Sequence, residues 1–184
     1  RLAGWTPPSS GPNVAMAGLQ TIRNRSNDAV RNDWSAKSIS QKWATNLIGI
    51  AITPRFKRIK SKTRKQELTD LWADFVKRAD ADCVLDLYGM QTLAVKSWLT
   101  AGEVFARRRA RFLDEDGLIV PMQVQLLEAD MVPLLDSDIM KGLPVGNVIR
   151  SGVELNKRGR RVAYWVHKQH PGDKGFMGMI EPDQ

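Results

Sequence analysis

From Met90 to Phe112 the chain reads MQTLAVKSWLTAGEVFARRRARF, and the hydrophobic period changes in the middle of it. Met90, Leu93, Ala94, Ser97, Trp98 and Ala101 fall on one face of a helix with 3.6 residues per turn. Asp86 is placed to cap that helix, and Gly102 to end it. Beyond Gly102 the period drops to two, which predicts a strand over Val104–Phe112. Helical patterns lie before this point and strand patterns after it. The fold class is therefore α+β, with N-terminal helices followed by an antiparallel sheet.

On the helical side, Leu68, Leu71, Trp72, Phe75, Val76 and Ala79 give the clearest amphipathic pattern in the chain. Asp33 is a candidate cap for a helix whose Ile39, Trp43 and Leu47 would form a buried stripe, with Gly49 at its end. Asn13 would cap an earlier helix from Val14 to about Val30. Ile50 and Ile52 alternate with Ala51 and Thr53, the pattern of a short strand stopped by Pro54. On the strand side, Asp114-Glu115-Asp116-Gly117 reads as a turn. Met122, Val124 and Leu126 supply the apolar face of a half-buried strand. Residues 133–147 read as a loop, and Val148–Leu155 pairs with Arg161–His167 as a hairpin through 156–160. The expected division is an extended arm over 1–12, one α+β domain over 13–170, and an irregular tail over 171–184.

The 184 residues carry a net charge of +8, and the surplus is clustered. Arg55, Lys57, Arg58, Lys60, Lys62, Arg64 and Lys65 fall in one short run, expected to be a loop. Arg107, Arg108, Arg109 and Arg111 form a second group, and Lys157, Arg158, Arg160 and Arg161 a third. Such surfaces attract polyanions, above all nucleic acid. Solvated loops and strand faces carry charge in the same way, so either reading fits each cluster. The single cysteine, Cys83, excludes an internal disulfide and fits a reducing compartment. No apolar run approaches the length of a membrane span, and Arg1–Trp5 does not open a secretory signal, so the expectation is a soluble intracellular chain.

Patterns that would carry catalysis are weak. His167 and His170 are the only histidines, and on a strand their spacing puts them on opposite faces, a poor start for a zinc site. Asp114 and Asp116 before Gly117 open like a calcium loop but lack its later ligands. Glu103, Glu128 and Asp130 stand near strand ends, where a nuclease could hold Mg²⁺, yet solvated edge acids explain them as well. There is no phosphate-binding loop and no nucleophile elbow. Five tryptophans could stack on bases. Of these, Trp43, Trp72 and Trp98 lie on helical stripes and are expected in the core. No catalytic, metal or cofactor-binding residue is assigned.

Several segments in order resemble the lambda-type family of tailed-phage portal proteins over essentially the whole chain. They begin with Trp5, Gly11-Pro12-Asn13 and Ala29-Val30-Arg31-Asn32-Asp33, the last similar to the family's LVRNNP segment. Thr45-Asn46-Leu47-Ile48-Gly49-Ile50-Ala51-Ile52-Thr53-Pro54 is similar to its NVVGTGI-P pattern. Leu71-Trp72-Ala73-Asp74-Phe75 with Asp80 and Asp82, then Met90-Gln91-Thr92-Leu93, look like its W-x-x-W…D and LQ-x-L signatures. Gly102-Glu103-Val104-Phe105, Gln125–Val132, Gly152-Val153-Glu154-Leu155, Gly159–Val166 and His170-Pro171-Gly172-Asp173 complete the series. Trp34 stands where the family usually has proline, and Ala51 where it has glycine.

The resemblance implies the wing-like portion of a non-enzymatic, ring-forming subunit, typically twelve-fold, at one capsid vertex. It implies phage DNA, terminase, capsid and head-completion or tail connector proteins as partners, and no membrane. The virion is the implied location, with the host cytoplasm during assembly. The residues alone support a different class equally: a DNA-binding packaging or regulatory module acting through Arg55–Lys65.

Overall fold

A computed structural model of the chain describes residues 18–50, 52–173 and 180–183. The expected arm over 1–12 and the start of the first helix at Val14 lie outside the described residues. The fold is α+β, with helices followed by small antiparallel sheets. Helix α1 spans Leu19–Asn32, α2 Trp34–Ile48, α3 Lys62–Arg78 and α4 Leu87–Ala101. Strands β1 (Phe105–Ala110) and β2 (Met122–Leu127) flank a single helical turn, α5 (Leu113–Asp116). A 3₁₀ turn at Ala129–Met131 precedes β3 (Val148–Arg150), β4 (Val153–Leu155), β5 (Arg161–His167) and β6 (Ile180–Asp183). Two compact units result: residues 25–127, and those before Arg25 together with Glu128 onward.

In the 25–127 unit the cap residues act as their sequence positions require. The Asp33 carboxylate accepts from Ser35 N at 2.6 Å and Ala36 N at 3.3 Å, and Asp86 accepts from Gly89 N at 2.7 Å. Gly102 ends α4 in the left-handed region at φ 85°, its N–H bonding Trp98 O. Helix α2 packs on α4, and its buried residues are the small Ser40 and Ala44. The expected buried stripe is not the covered face: Ile39, Trp43 and Leu47 are 59%, 53% and 53% exposed. Trp98 is likewise half exposed, Trp72 is half-buried, and only Met90 of the α4 stripe is fully buried. Ile50 and Ile52 are exposed, and no strand among the described residues pairs with them; Ala51 of the expected strand lies outside the described residues.

Helix α3 begins earlier than its apolar pattern, inside the basic run expected as a loop. Ser61 Oγ accepts from Arg64 N at 3.3 Å and opens the helix at Lys62. At its other end the chain passes into a knot around Asp80. The buried Asp80 carboxylate accepts from Asp82 N (3.0 Å), Val84 N (3.0 Å) and Leu85 N (2.9 Å). Val124 N donates to Ala79 O (2.7 Å), and Ala81 N to Val124 O (2.9 Å), so residues 79–81 lie parallel along β2. Gln123 Nε2 donates to Arg78 O (2.8 Å) and Asp80 O (2.9 Å). This bonding reverses the expected strand polarity: Gln123 and Leu127 are buried, while Met122, Val124 and Leu126 are only partly covered. A buried glutamine is tolerable because its amide is satisfied on both sides.

Strands β1 and β2 pair antiparallel from Phe105↔Leu127 to Ala110↔Met122. The expected turn at 114–117 is one turn of helix, with Phe112 N bonded to Asp116 Oδ2 at 2.8 Å and Gly117 at φ 64°.

In the other unit the expected single strand over 148–155 is two strands. Ser151 and Gly152 have φ 50° and 76°, both positive as a type I′ hairpin turn requires. The sheet runs in the order β3-β4-β5-β6, all neighbours antiparallel. Residues 180–183, expected in the irregular tail, form β6 and pair with β5 from Tyr164↔Asp183 to His167↔Ile180. One expected sheet is thus two, of two and four strands. Ile149, Ala163, Trp165 and Val166 make the core of the larger one, with Val132. Buried Glu154 accepts from Asn147 Nδ2 (2.6 Å) and Trp165 Nε1 (3.2 Å).

Burial alone would raise the Asp80 carboxyl, but the N–H groups of Leu85, Asp82 and Val84 outweigh it and hold the group below its ordinary value. A lowered folded-state pKa gives stability that is complete above the unfolded value, about 3.9, and lost as pH falls through the folded one. Asp80→Asn should cost about 1–3 kcal/mol at pH 7, with the difference from the parent shrinking below about pH 4, measured by urea unfolding across pH. Gly152 supplies a second expectation. A Cβ there would meet Pro133 O at 2.5 Å and Val132 Cγ1 at 2.6 Å, whereas Gly159 at φ 72° has open space. Gly152→Ala should cost more than about 2 kcal/mol and Gly159→Ala about 1 kcal/mol, read from the same unfolding curves.

Candidate nucleic-acid interface

The basic run divides at Ser61. Arg55, Lys57, Arg58 and Lys60 lie on an irregular connection where Pro54, Phe56 and Ile59 are partly covered. Every basic side chain between them is exposed. Lys57 N bonds Arg55 O at 3.0 Å, and Ile59 N bonds Phe56 O at 3.4 Å, so the segment is a succession of tight turns. Lys62, Arg64 and Lys65 follow in the first turn of α3 and are also exposed. Among the described residues none of these seven side chains makes an ion pair or a side-chain hydrogen bond.

The first turn of α3 contains no acid. Three cations therefore crowd the end of the helix where free N–H groups already place partial positive charge. Asp and Glu are the residues enriched at that end of helices. An external anion would relieve the crowding, and phosphate suits free N–H groups and cations alike. The sequence reveals the charge run but not the helix start, because Lys62–Glu67 holds no apolar residue to set a period. Ser61, three residues before Arg64, is the one available signal.

The second cluster is partly committed to structure. Arg107 Nη2 bonds Gln125 Oε1 at 2.7 Å, and Gln125 Nε2 bonds Asp82 Oδ1 at 2.8 Å. Arg111 Nε bonds Gln123 Oε1 at 2.7 Å and stands 3.9 Å from Asp116 Oδ1. Arg108 and Arg109 are exposed. The third cluster surrounds the β4–β5 turn, where Asn156 Oδ1 accepts from Arg158 N (2.9 Å) and Arg160 N (3.0 Å). Lys157, Arg158, Arg160 and Arg161 are exposed there.

The weaker patterns separate into local roles. His170 Nε2 stands 3.4 Å from Glu128 Oε2, and its Nδ1 accepts from Gly172 N at 3.0 Å. Asp130 accepts from Gln20 Nε2 at 3.1 Å. No three His, Cys, Asp or Glu side chains among the described residues are grouped to hold a metal ion. A cleft of about 610 Å³ lies beside the Asp80 knot, between Lys77, Arg78, Leu85, Arg111 and Leu118. Its Arg78 is engaged with Asp74 and with Gly117 O at 3.1 Å. Trp165 is buried and Trp34 is 82% exposed, so the tryptophans share no common surface role. No helix among the described residues is long and apolar enough to cross a membrane.

A family model described as phage portal protein, lambda family, matches residues 1–183. The chain is 28% identical over 181 residues to a probable portal protein of Halomonas phage phiHAP-1. That alignment covers 92% of this chain and 33% of the relative, so the chain spans about a third of the relative's length.

If the start of α3 is electrostatically crowded, replacing Lys62, Arg64 and Lys65 together with Gln should raise stability at low salt. The expected gain is about 0.3–1 kcal/mol per charge removed. Thermal melts in dilute buffer should show it, and about 1 M salt, with a Debye length near 3 Å, should erase it.

Proposed function

Because the chain belongs to the lambda family of phage portal proteins, we propose that it is part of a structural subunit of a ring at one vertex of the capsid. The ring is the conduit for DNA during packaging and ejection, and it docks terminase on loading and head-tail connector proteins afterwards. About twelve copies close it through head-to-tail contacts, since a closed cycle requires heterologous interfaces. The subunit assembles in the host cytoplasm and ends in the virion. The role is structural, not catalytic. The family match over residues 1–183 is the observation that carries this reading, and the α+β order of elements supports it.

DNA contact is assigned to Arg55, Lys57, Arg58, Lys60, Lys62, Arg64 and Lys65, all exposed and without acidic partners. A conduit passes every sequence, so contact to phosphates is the fitting chemistry and base readout is not. The same exposed run favours a second reading, a DNA-binding packaging or regulatory module. Subunit number separates the two, since a module of that kind works as a monomer or dimer.

Native mass measurement and particle imaging of the intact gene product should show a closed ring; a monomer or dimer at micromolar concentration would contradict the portal reading. In the same preparation, DNA binding should be sequence-independent and steeply salt-dependent. Changing Lys57, Arg58 and Lys60 to alanine should flatten the log–log salt slope by about 0.9 for each phosphate those side chains neutralise. Ring assembly should be unchanged. Loss of rings with DNA binding retained would move this run to a protein partner.

A further inference from the structure

The 25–127 unit exposes two apolar trios on different elements. Ile39, Trp43 and Leu47 repeat every fourth residue along α2 and are each more than half exposed. Phe112, Leu113 and Ile119 cluster at the tip of the β1–β2 hairpin and are 61%, 61% and 64% exposed. A large aromatic offers about 150–250 Å² of surface, so each trio presents on the order of 300 Å². That already matches the largest apolar patch of a typical monomer, about 300–600 Å². Single exposed apolar residues need no explanation; two such groups on one unit do.

Their surroundings differ in charge. Helix α2 contains Lys37 and Lys42 and no acid within Trp34–Ile48. Lys42 precedes Trp43 and lies beside the stripe in the helical projection. The hairpin tip carries Asp114, Glu115 and Asp116 in its single helical turn. Asp116 is engaged by Phe112 N and Arg111. Asp114 and Glu115 are exposed and form no ion pair among the described residues. The α2 trio thus has a basic neighbour, and the hairpin trio has the exposed acids Asp114 and Glu115 in its helical turn, with the exposed Arg108 and Arg109 farther back on β1.

We propose that the α2 stripe of one copy seats against the hairpin tip of the next copy, with Lys42 facing Asp114 and Glu115. The occupant is a second copy because a cyclic assembly needs two different faces on each subunit that fit one another. These trios are unlike in element, alike in apolarity and opposite in rim charge. An apolar centre with a charged rim is the usual anatomy of such a contact. The assignment rests on the ring reading above and adds to it which surfaces meet.

The test uses the intact gene product with Cys83 and any further cysteine replaced by serine as background. Lys42→Glu and Glu115→Lys should each raise the concentration needed for ring assembly by about 10-fold, since each sets like charges against each other. The double variant should return to within about 2-fold of the parent. Trp43→Cys combined with Leu113→Cys should give a ladder of covalent oligomers on oxidation, and neither alone should. Rings that form equally well in every charge variant, without a ladder, overturn the surface assignment and leave the ring reading intact. Absence of rings from the unaltered protein overturns the ring reading itself. A Lys42→Glu protein with weakened urea stability and unchanged assembly would mean that another segment of the same chain covers the stripe, which also overturns the proposal.

Discussion

The 25–127 unit depends on one carboxylate. Asp80 follows directly on the end of α3, is 5% exposed, and gathers the N–H groups of residues 82, 84 and 85. Its backbone carbonyl takes the Gln123 amide, and its neighbours Ala79 and Ala81 exchange bonds with Val124. A short chain segment thereby joins a helix, a strand and the start of the next helix at Asp86. A buried carboxylate with fewer donors would be strongly unfavourable. With three donors it fixes the path of the chain and keeps the two-stranded sheet from standing alone, where it would be marginal.

Much of this frame is written in local sequence. Asp33, Asp86 and Gly102 mark helix ends because a cap is a contact between near neighbours, and the sequence displays near neighbours directly. The Ser151–Gly152 turn is legible in the same way, as a dipeptide that tolerates two positive φ angles, and reading through it merges two strands. Other features are out of reach. The inward face of β2 belongs to Gln123 only because Arg78 and Asp80, more than forty residues away in sequence, present carbonyls to it. Strand β6 exists only through its pairing with β5, and its Gly- and Pro-rich approach hides it. Periodicity places Ile39, Trp43 and Leu47 on one stripe correctly. It cannot say that Ser40 and Ala44 are the buried pair.

The candidate site is legible as charge and less so as shape. The seven basic residues from Arg55 to Lys65 are all exposed, as their composition suggests. Ser61 divides them between an irregular connection and a helix start. Two arginines of the second cluster illustrate the opposite outcome. Arg107 and Arg111 look equally available in sequence, yet each is tied to a glutamine of β2. Exposure with no partner distinguishes a surface kept for another molecule from one that completes the fold. By that criterion Arg107 and Arg111 belong to the frame, while Arg108 and Arg109 share the exposure of Arg55–Lys65.

If the Asp80 knot organises the 25–127 unit and the exposed basic run is surplus to folding, native-state hydrogen exchange will show both, because local opening and global unfolding separate residue by residue. The amides of Asp82, Val84, Leu85 and Val124 should be protected together and should lose protection together in Asp80→Asn. Replacing Lys57, Arg58 and Lys60 should leave every one of them unchanged. Independent exchange of those four amides in the parent, or equal loss of protection from the surface replacements, would contradict the account.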